Sequence, residues 1–337
     1  MPEIAEVERA RLRIHRQCLQ HKVIKVEHQP DNIVYKDIEP SELADTLLNK
    51  VLVDTKRWGK YFVLIFDQGP SLVAHFGMTG GIRFQHEEKE VWPPKFWKLL
   101  ITFQDPANPD KTIQFGFKDP RRLARLRLVA GPDPLLEPPI NKLGFDPVLN
   151  LPSLSSFSEL VHRRQVPIKA LLLDQAFSAG VGNWVADEIL YQAKIHPAQY
   201  THTLTASELE SLYEKLKYVC ETAVALEADE SKFPADWLMP YRWSKGKKTS
   251  QILPNGLSLQ FETVGGRTSA FAPDIQVLRA VEKNKVVKKE GYIKKEVKTE
   301  KIAIKKKKSV IVKKEPAFRH VTGTRRSLRI KKEEQKS

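Results

Sequence analysis

Residues 1–8, Met-Pro-Glu-Ile-Ala-Glu-Val-Glu, set one secondary amine beside carboxylates. Removal of Met1, which a small second residue permits, would leave Pro2 with a free ring amine. Condensed with an aldehyde carbon, that amine gives an iminium ion with no N–H proton to lose, so the carbon stays next to an electron sink. An α-amino group titrates at about 7.7–8 and a lysine at about 10.4, so near pH 7 the terminal amine is free roughly two orders of magnitude more often. Proline is more basic than the generic amine, and a helix start counters this, because its positive end disfavours an ammonium ion. Glu3 and Glu6 follow as groups able to move protons. Ile4, Val7, Ala10 and Ile14 recur every three or four residues and predict an amphipathic helix. Pro2 suits its first turn, and Glu6 lies one turn from Pro2 on the same side. The same residues also read as an ordinary N-terminal helix whose acids complement its dipole.

The elements that must position this amine are legible by period. Short strands are expected at 22–26 and 51–55. A β-rich stretch follows, with strands at 61–66, 72–76, 82–84, 96–103, 112–117 and 123–129. Turn residues separate them, at 67–70, 77–81, 106–110 and 118–120. Many short strands at hairpin spacing predict a β-sandwich. Residues 131–152 are rich in proline and read as a linker. Helices are expected at 157–164, 168–175, 184–193 and 207–227, the last with Leu209, Leu212, Leu216, Val219 and Ala223 on one face. Leu257, Leu259 and Phe261 alternate with polar residues, and Gly265-Gly266 turns the chain into a short strand at 269–271. A lone hairpin is marginal in water, so this one must pack on the helices. The expected organisation is an N-terminal helix and β-sandwich over 1–130, the linker, a helical part over 153–280 with its hairpin at about 257–271, and a tail over 281–337. The fold class is α+β.

The 337 residues carry a formal charge of +15. Residues 281–337 hold 21 Lys and Arg against 7 Asp and Glu, so +14 of that charge sits in the tail. The remaining 280 residues hold 35 basic and 34 acidic side chains and are nearly neutral. A nucleic-acid site in the folded part must therefore come from arrangement and not from surplus charge. Few aromatics and dense lysine predict a disordered tail. Lys305–Lys308, Lys313-Lys314 and Arg325-Arg326 predict nuclear import or non-specific DNA contact by counterion release. Two cysteines, Cys18 and Cys220, exclude a disulfide framework and a CxxC metal site. No apolar run is long enough to span a membrane and no secretory pattern opens the chain, so the expectation is an intracellular protein.

Five stretches then line up in order: residues 2–8 as above, Arg57-Trp-Gly-Lys-Tyr61, His75-Phe-Gly-Met-Thr-Gly80, Asp119-Pro-Arg-Arg122, and Gly180-Val-Gly-Asn183 leading to Ala186-Asp-Glu188. Together they resemble the formamidopyrimidine-DNA glycosylase / endonuclease VIII family, over residues 1 to about 273. The cysteine-free hairpin and basic tail look like the plant and fungal branch with a "zincless finger". The resemblance implies a helix–two-turn–helix domain and a bifunctional enzyme that removes an oxidised base and then cuts the strand. It implies catalytic roles for Pro2 as nucleophile, Glu3 as proton carrier, Glu6 as its positioner, Lys60 as a site cation and Arg267 on the finger. It implies DNA contacts from Met78, which fills the gap left by the extruded base, from Arg122 and Leu123 opposite the lesion, and from Lys169, Gly182, Asn183 and Arg267 to phosphates. Leu123 stands where many bacterial relatives carry Phe, and a leucine stacks less well. Residues 243–254 do not match the bacterial loop that caps 8-oxoguanine. Ring-opened formamidopyrimidines and further-oxidised guanines are therefore the expected substrates, ahead of 8-oxoguanine. The expected partner is double-stranded DNA with oxidised bases or abasic sites, bound by a monomer with no cofactor and no metal. Two alternatives stand beside this: a glycosylase for oxidised pyrimidines, and a non-catalytic binder of damaged DNA.

Overall fold

A computed structural model describes residues 1–87, 91–243 and 252–279. They belong to one unit, Met1–Lys283; the second unit, Asn284–Ser337, lies outside the described residues, and with it the predicted tail disorder. Helix α1 (Ile4–Cys18) is followed by β1 (Lys22–His28), α2 (Pro40–Leu47), β2 (Leu52–Trp58), β3 (Tyr61–Phe66), β4 (Ser71–His75), β5 (Gly81–Phe84), β6 (Trp97–Asp105), β7 (Asn108–Lys118) and β8 (Arg125–Val129). These strands make two antiparallel four-stranded sheets, in the orders β1-β6-β7-β5 and β2-β3-β4-β8. Phe62, Leu64 and Phe76 meet Phe84, Phe103, Phe115 and Phe117 between the sheets. The sandwich expected from the hairpin spacing is the fold observed.

Two differences are instructive. The expected turn at 106–110 is shorter than its proline content suggests. Asp105 pairs with Asn108, so β7 begins at Asn108, not 112. Helix α2 has no place in the expected order. Its signals are present but faint: Pro40 in the first turn, with Leu43, Ala44 and Leu47 buried on one face.

The helical part comprises α3 (Leu154–His162), α4 (Ile168–Leu173), α5 (Asn183–Ala193) and α6 (Ala206–Ala225). The hairpin β9 (Gln260–Val264) and β10 (Arg267–Phe271) closes on Gly265 and Gly266, both at positive φ. That backbone is one glycine adopts without a Cβ penalty, and it matches the twist of a two-residue hairpin. The hairpin's inner face joins Tyr191, Leu238, Leu253, Leu259, Ala270 and Ala272, as its marginal stability alone requires.

Helix α1 belongs to both cores. Ile4 and Ala5 pack among α3–α6, whereas Val7, Ala10, Ile14 and Cys18 pack inside the sandwich. Its N-terminus is thereby fixed where the sandwich meets the helices.

Candidate active site and DNA interface

The starts of α1 and α5 face each other. Ile4 N–H donates to Gly180 O at 3.1 Å. Across the gap, the Glu3 carboxylate accepts from the N–H groups of Trp184 and Val185, each at 3.1 Å. Glu6 accepts from Glu3 N–H at 2.9 Å and from Trp184 Nε1 at 3.1 Å. Gly182 makes the approach possible, since a Cβ there would lie 2.1 Å from Glu3 Cδ. Two first-turn donors of α5, at Trp184 and Val185, are thus occupied by an internal carboxylate, and the glycine is needed for room.

Glu3 is buried, and burial pushes its pKa from 4.5 up to about 7, against the pull of Lys60 and the two N–H donors and with help from Glu6. A carboxyl titrating near 7 can both give and take a proton at physiological pH. Pro2 is half-buried beside it. A cavity of about 330 Å³ opens along Pro2, Glu6, Arg9, Arg13, Thr79 and Gly80.

Lys60 is the second residue of the two-residue β2–β3 turn, because Trp58 pairs with Tyr61. Burial lowers its pKa, opposed by Glu3 and Glu6 and reinforced by Arg267, so these four side chains share one electrostatic neighbourhood. The turn is anchored from below. Gly59, at φ +55°, would meet Ala179 Cβ at 2.8 Å if it carried a Cβ. Its N–H donates to Asp146 at 2.8 Å. Arg57 is buried, pairs with Asp146, and meets Glu8 at 3.1 Å. Trp58 Nε1 donates to Gly144 O at 3.1 Å. Arg57 therefore ties α1, β2 and the segment entering the helical part into one buried ionic network, a role that its sequence neighbours do not reveal.

His75 also borders Lys60. Burial first, then the Lys60, Arg125 and Arg127 charges, lowers its pKa to about 4, so the ring is neutral, and its Nδ1 accepts Gly77 N–H at 3.1 Å. The ring thus props the turn carrying Met78, which is half-buried.

The turn 118–124 is organised by Asp119, which is fully buried. Its carboxylate accepts from Thr79 Oγ1 (2.7 Å), Arg121 N–H (3.1 Å) and Ala124 N–H (2.7 Å). Leu123 is exposed at the tip. Arg122 is not free. Its guanidinium forks onto Asp31 at 3.0 and 3.1 Å and reaches Asn32 at 3.2 Å. Asp31 also pairs with Lys98 at 2.8 Å. The exposed neighbour, Arg121, has no side-chain partner among the described residues, and neither has Lys118.

Arg267 is exposed at the start of β10. The next residue is held twice: Thr268 O accepts from Asn183 Nδ2 and from Lys169 Nζ, both at 3.0 Å. Lys169 also departs from its expected phosphate contact. Its side chain has no exposed surface and meets Asp187 at 2.5 Å. Arg242 binds the other Asp187 oxygen at 2.7 Å, and Ala270 N–H donates to it at 3.2 Å. A lysine so enclosed cannot reach an outside phosphate; it fastens the hairpin to α4 and α5. Among the described residues no group of three His, Cys, Asp or Glu side chains is placed to hold a metal, and no helix is long and apolar enough to cross a membrane. The segment expected to depart from the 8-oxoguanine-capping loop falls at 244–251 outside the described residues.

Comparison with known proteins finds relatives in sequence and in fold. Residues 1–126 match the profile of the formamidopyrimidine-DNA glycosylase N-terminal domain, and residues 143–235 that of its H2TH domain. An Arabidopsis thaliana formamidopyrimidine-DNA glycosylase is 36% identical over 299 residues, covering 86% of this chain and 74% of the relative. A Thermus thermophilus counterpart is 32% identical over 286 residues, covering 82% and 98%. A Lactococcus lactis Fpg variant in complex with Fapy-dG containing DNA superposes with a TM-score of 0.69 at 26% identity, covering 82% of this chain and all of that one. The Lactococcus lactis Fpg complex with DNA containing an abasic site gives 0.68 at 25%, covering 82% and 99%.

Proposed function

The chain belongs to the formamidopyrimidine-DNA glycosylase family, and from that premise we propose that it is a bifunctional DNA glycosylase and abasic-site lyase of base excision repair. One observation carries the reading. The residue after the prospective amine is a buried carboxyl with a pKa of about 7, gripped by the start of α5 and facing Lys60.

Once Met1 is removed, the Pro2 nitrogen attacks C1′ of the damaged nucleotide. The glycosidic bond breaks, its electron pair leaves with the base, and a proton from Glu3 or from water in its reach completes the departing base. The Pro2 nitrogen gives up its proton, the C1′–O4′ bond breaks with O4′ taking a proton through Glu3, and an iminium is left between Pro2 and C1′. The iminium acidifies the C2′ proton; its loss expels the 3′ phosphate, and a second elimination can expel the 5′ phosphate. Water then hydrolyses the linkage and frees the amine. Glu6 positions Glu3 through the Glu3 N–H, and Lys60 supplies positive charge to the sugar–phosphate oxygens. Arg267 and Asn183, joined through Thr268, grip the flanking phosphates, where a guanidinium fork suits the anion. Met78 and Leu123 fill the space of the extruded nucleotide, offsetting its lost stacking. Arg121 faces the orphaned base.

The hairpin works as a zincless finger: the Lys169–Asp187–Arg242 cluster and its apolar face do the holding that a metal would do. The preferred substrates are formamidopyrimidines and further-oxidised guanines, with 8-oxoguanine weaker, and the site of action is the nucleus, reached through the basic tail. A single-turnover panel of duplexes bearing each lesion, read by strand cleavage, tests this. Faster release of oxidised pyrimidines than of formamidopyrimidines would overturn the substrate assignment, and no cleavage of any lesion or abasic site would overturn the enzyme.

A further inference from the structure

One exposed aromatic beside the Asp119 turn has no part in the scheme above. Phe96 ends the connection from β5 to β6 and is 51% exposed. Its backbone takes a φ of +63°. A bulky residue seldom adopts that conformation, and such outliers gather at ligand-gripping sites. Two hydrogen bonds enforce it: Asp119 N–H to Phe96 O at 3.0 Å, and Trp97 N–H to Pro94 O at 3.1 Å. Asp119 is the same residue that binds Thr79, Arg121 and Ala124. Three connections, carrying Met78, Phe96 and the pair Arg121 and Leu123, are thus pinned at one buried aspartate. The Lys95 ammonium lies 5.0 Å from the centre of the Phe96 ring. Lys95 has no carboxylate partner among the described residues, so the ammonium beside the ring is available to a polyanion.

We propose that Phe96 stacks on a base of the strand opposite the extruded nucleotide, with Lys95 on the adjoining phosphate. It would supply from a neighbouring loop the aromatic surface that Leu123 lacks. The inference rests on the glycosylase reading. Its chemistry is that of any aromatic platform for a base, tolerant of sequence because every base has a π-face. The cationic flank commits the ring to DNA and not to an apolar partner.

The test compares Phe96→Ala, Phe96→Trp and the native chain in binding a duplex with a tetrahydrofuran abasic analogue and the matching single strand. The duplex-over-single-strand affinity ratio should fall on the order of 5–10-fold in Phe96→Ala, the low end for removing one base–aromatic stack, and be kept in Phe96→Trp. A 2-aminopurine beside the orphaned position should brighten when the native complex gives way to Phe96→Ala. An unchanged ratio, or an equal loss on duplex and single strand, overturns the proposal, as does failure of Phe96→Trp to restore the ratio. Borohydride trapping of the native chain on single-stranded abasic DNA keeps the two readings apart. Trapping with an unchanged ratio refutes Phe96 alone; absence of trapping refutes the amine chemistry, while the ratio still reports the stacking.

Discussion

Glu3→Gln isolates the carboxyl on which the chemistry turns. Its pKa stands at about 7 in the folded chain against an ordinary 4.5, chiefly through burial. The folded state therefore binds the proton more tightly than the unfolded one. Its contribution to stability is present in full below about pH 4.5 and is lost as pH rises through about 7. At 1.36 kcal/mol per pH unit the whole displacement is worth roughly 3 kcal/mol, most of it falling between pH 5 and 8. The glutamine side chain keeps one oxygen for the two N–H groups of Trp184 and Val185, so the variant carries an offset, but that offset does not vary with pH. Glu188, raised to about 8 mainly by burial, adds a slope of the same sign to both proteins and cancels. The assay is urea unfolding of both chains at pH 5 and pH 8, with an N-terminal extension that keeps Pro2 in an amide, since a free Pro2 ammonium would favour the Glu3 carboxylate and shrink the effect. The native chain should lose about 2–3 kcal/mol more than Glu3→Gln over that interval. Equal losses would refute the buried, proton-holding Glu3 and with it the proton carrier of the mechanism.

Other outcomes follow from the same geometry. Gly182→Ala places a Cβ 2.1 Å from Glu3 Cδ and should displace the carboxylate; single-turnover base release should fall on the order of 100-fold while affinity for an abasic analogue changes little. Arg57→Met leaves the buried Asp146 without its cation, while Glu8 keeps Arg11, and should cost about 3–5 kcal/mol in urea unfolding at pH 7. Deleting residues 281–337 should flatten the dependence of log affinity on log salt by about 0.9 for each phosphate the tail neutralises, with the cleavage rate at saturating enzyme unchanged.

Local patterns account for most of the fold. The 3.6-residue period of α1 and α6 and the alternation between turn residues of the sandwich leave a mark within a dozen residues, and the structure follows them. The acids of the first turn are equally visible, because Pro2, Glu3 and Glu6 lie within five residues. What escapes is pairing over distance. Arg122 meets Asp31 across 91 residues and Arg57 meets Asp146 across 89, so nothing near either arginine shows that its charge is spent. Arg121 and Arg122 are indistinguishable in sequence, and only the positive φ of Arg122 and the fork onto Asp31 separate them. Lys169 misleads for the same reason: its partner Asp187 stands on the next helix, and a lysine between a proline and an apolar run carries no sign that it is enclosed. The glycine-rich turn around Gly182 suggests free N–H donors, although the residue that fills its missing side chain is Glu3, at the far end of the chain. His75 is visible in sequence only as part of a motif; its neutrality depends on burial and on three cations, of which only Lys60 lies outside its own sheet neighbours.

The most direct test of the Pro2 mechanism is borohydride trapping on abasic-site DNA, with the linked residue located by mass spectrometry of peptides. The Met1-processed chain should form a covalent adduct whose N-terminal peptide carries the reduced sugar on Pro2, and the chain with an N-terminal extension should form none. Absence of an adduct from the processed chain at concentrations where it binds that DNA, or an adduct on Lys60 in place of Pro2, would contradict the account.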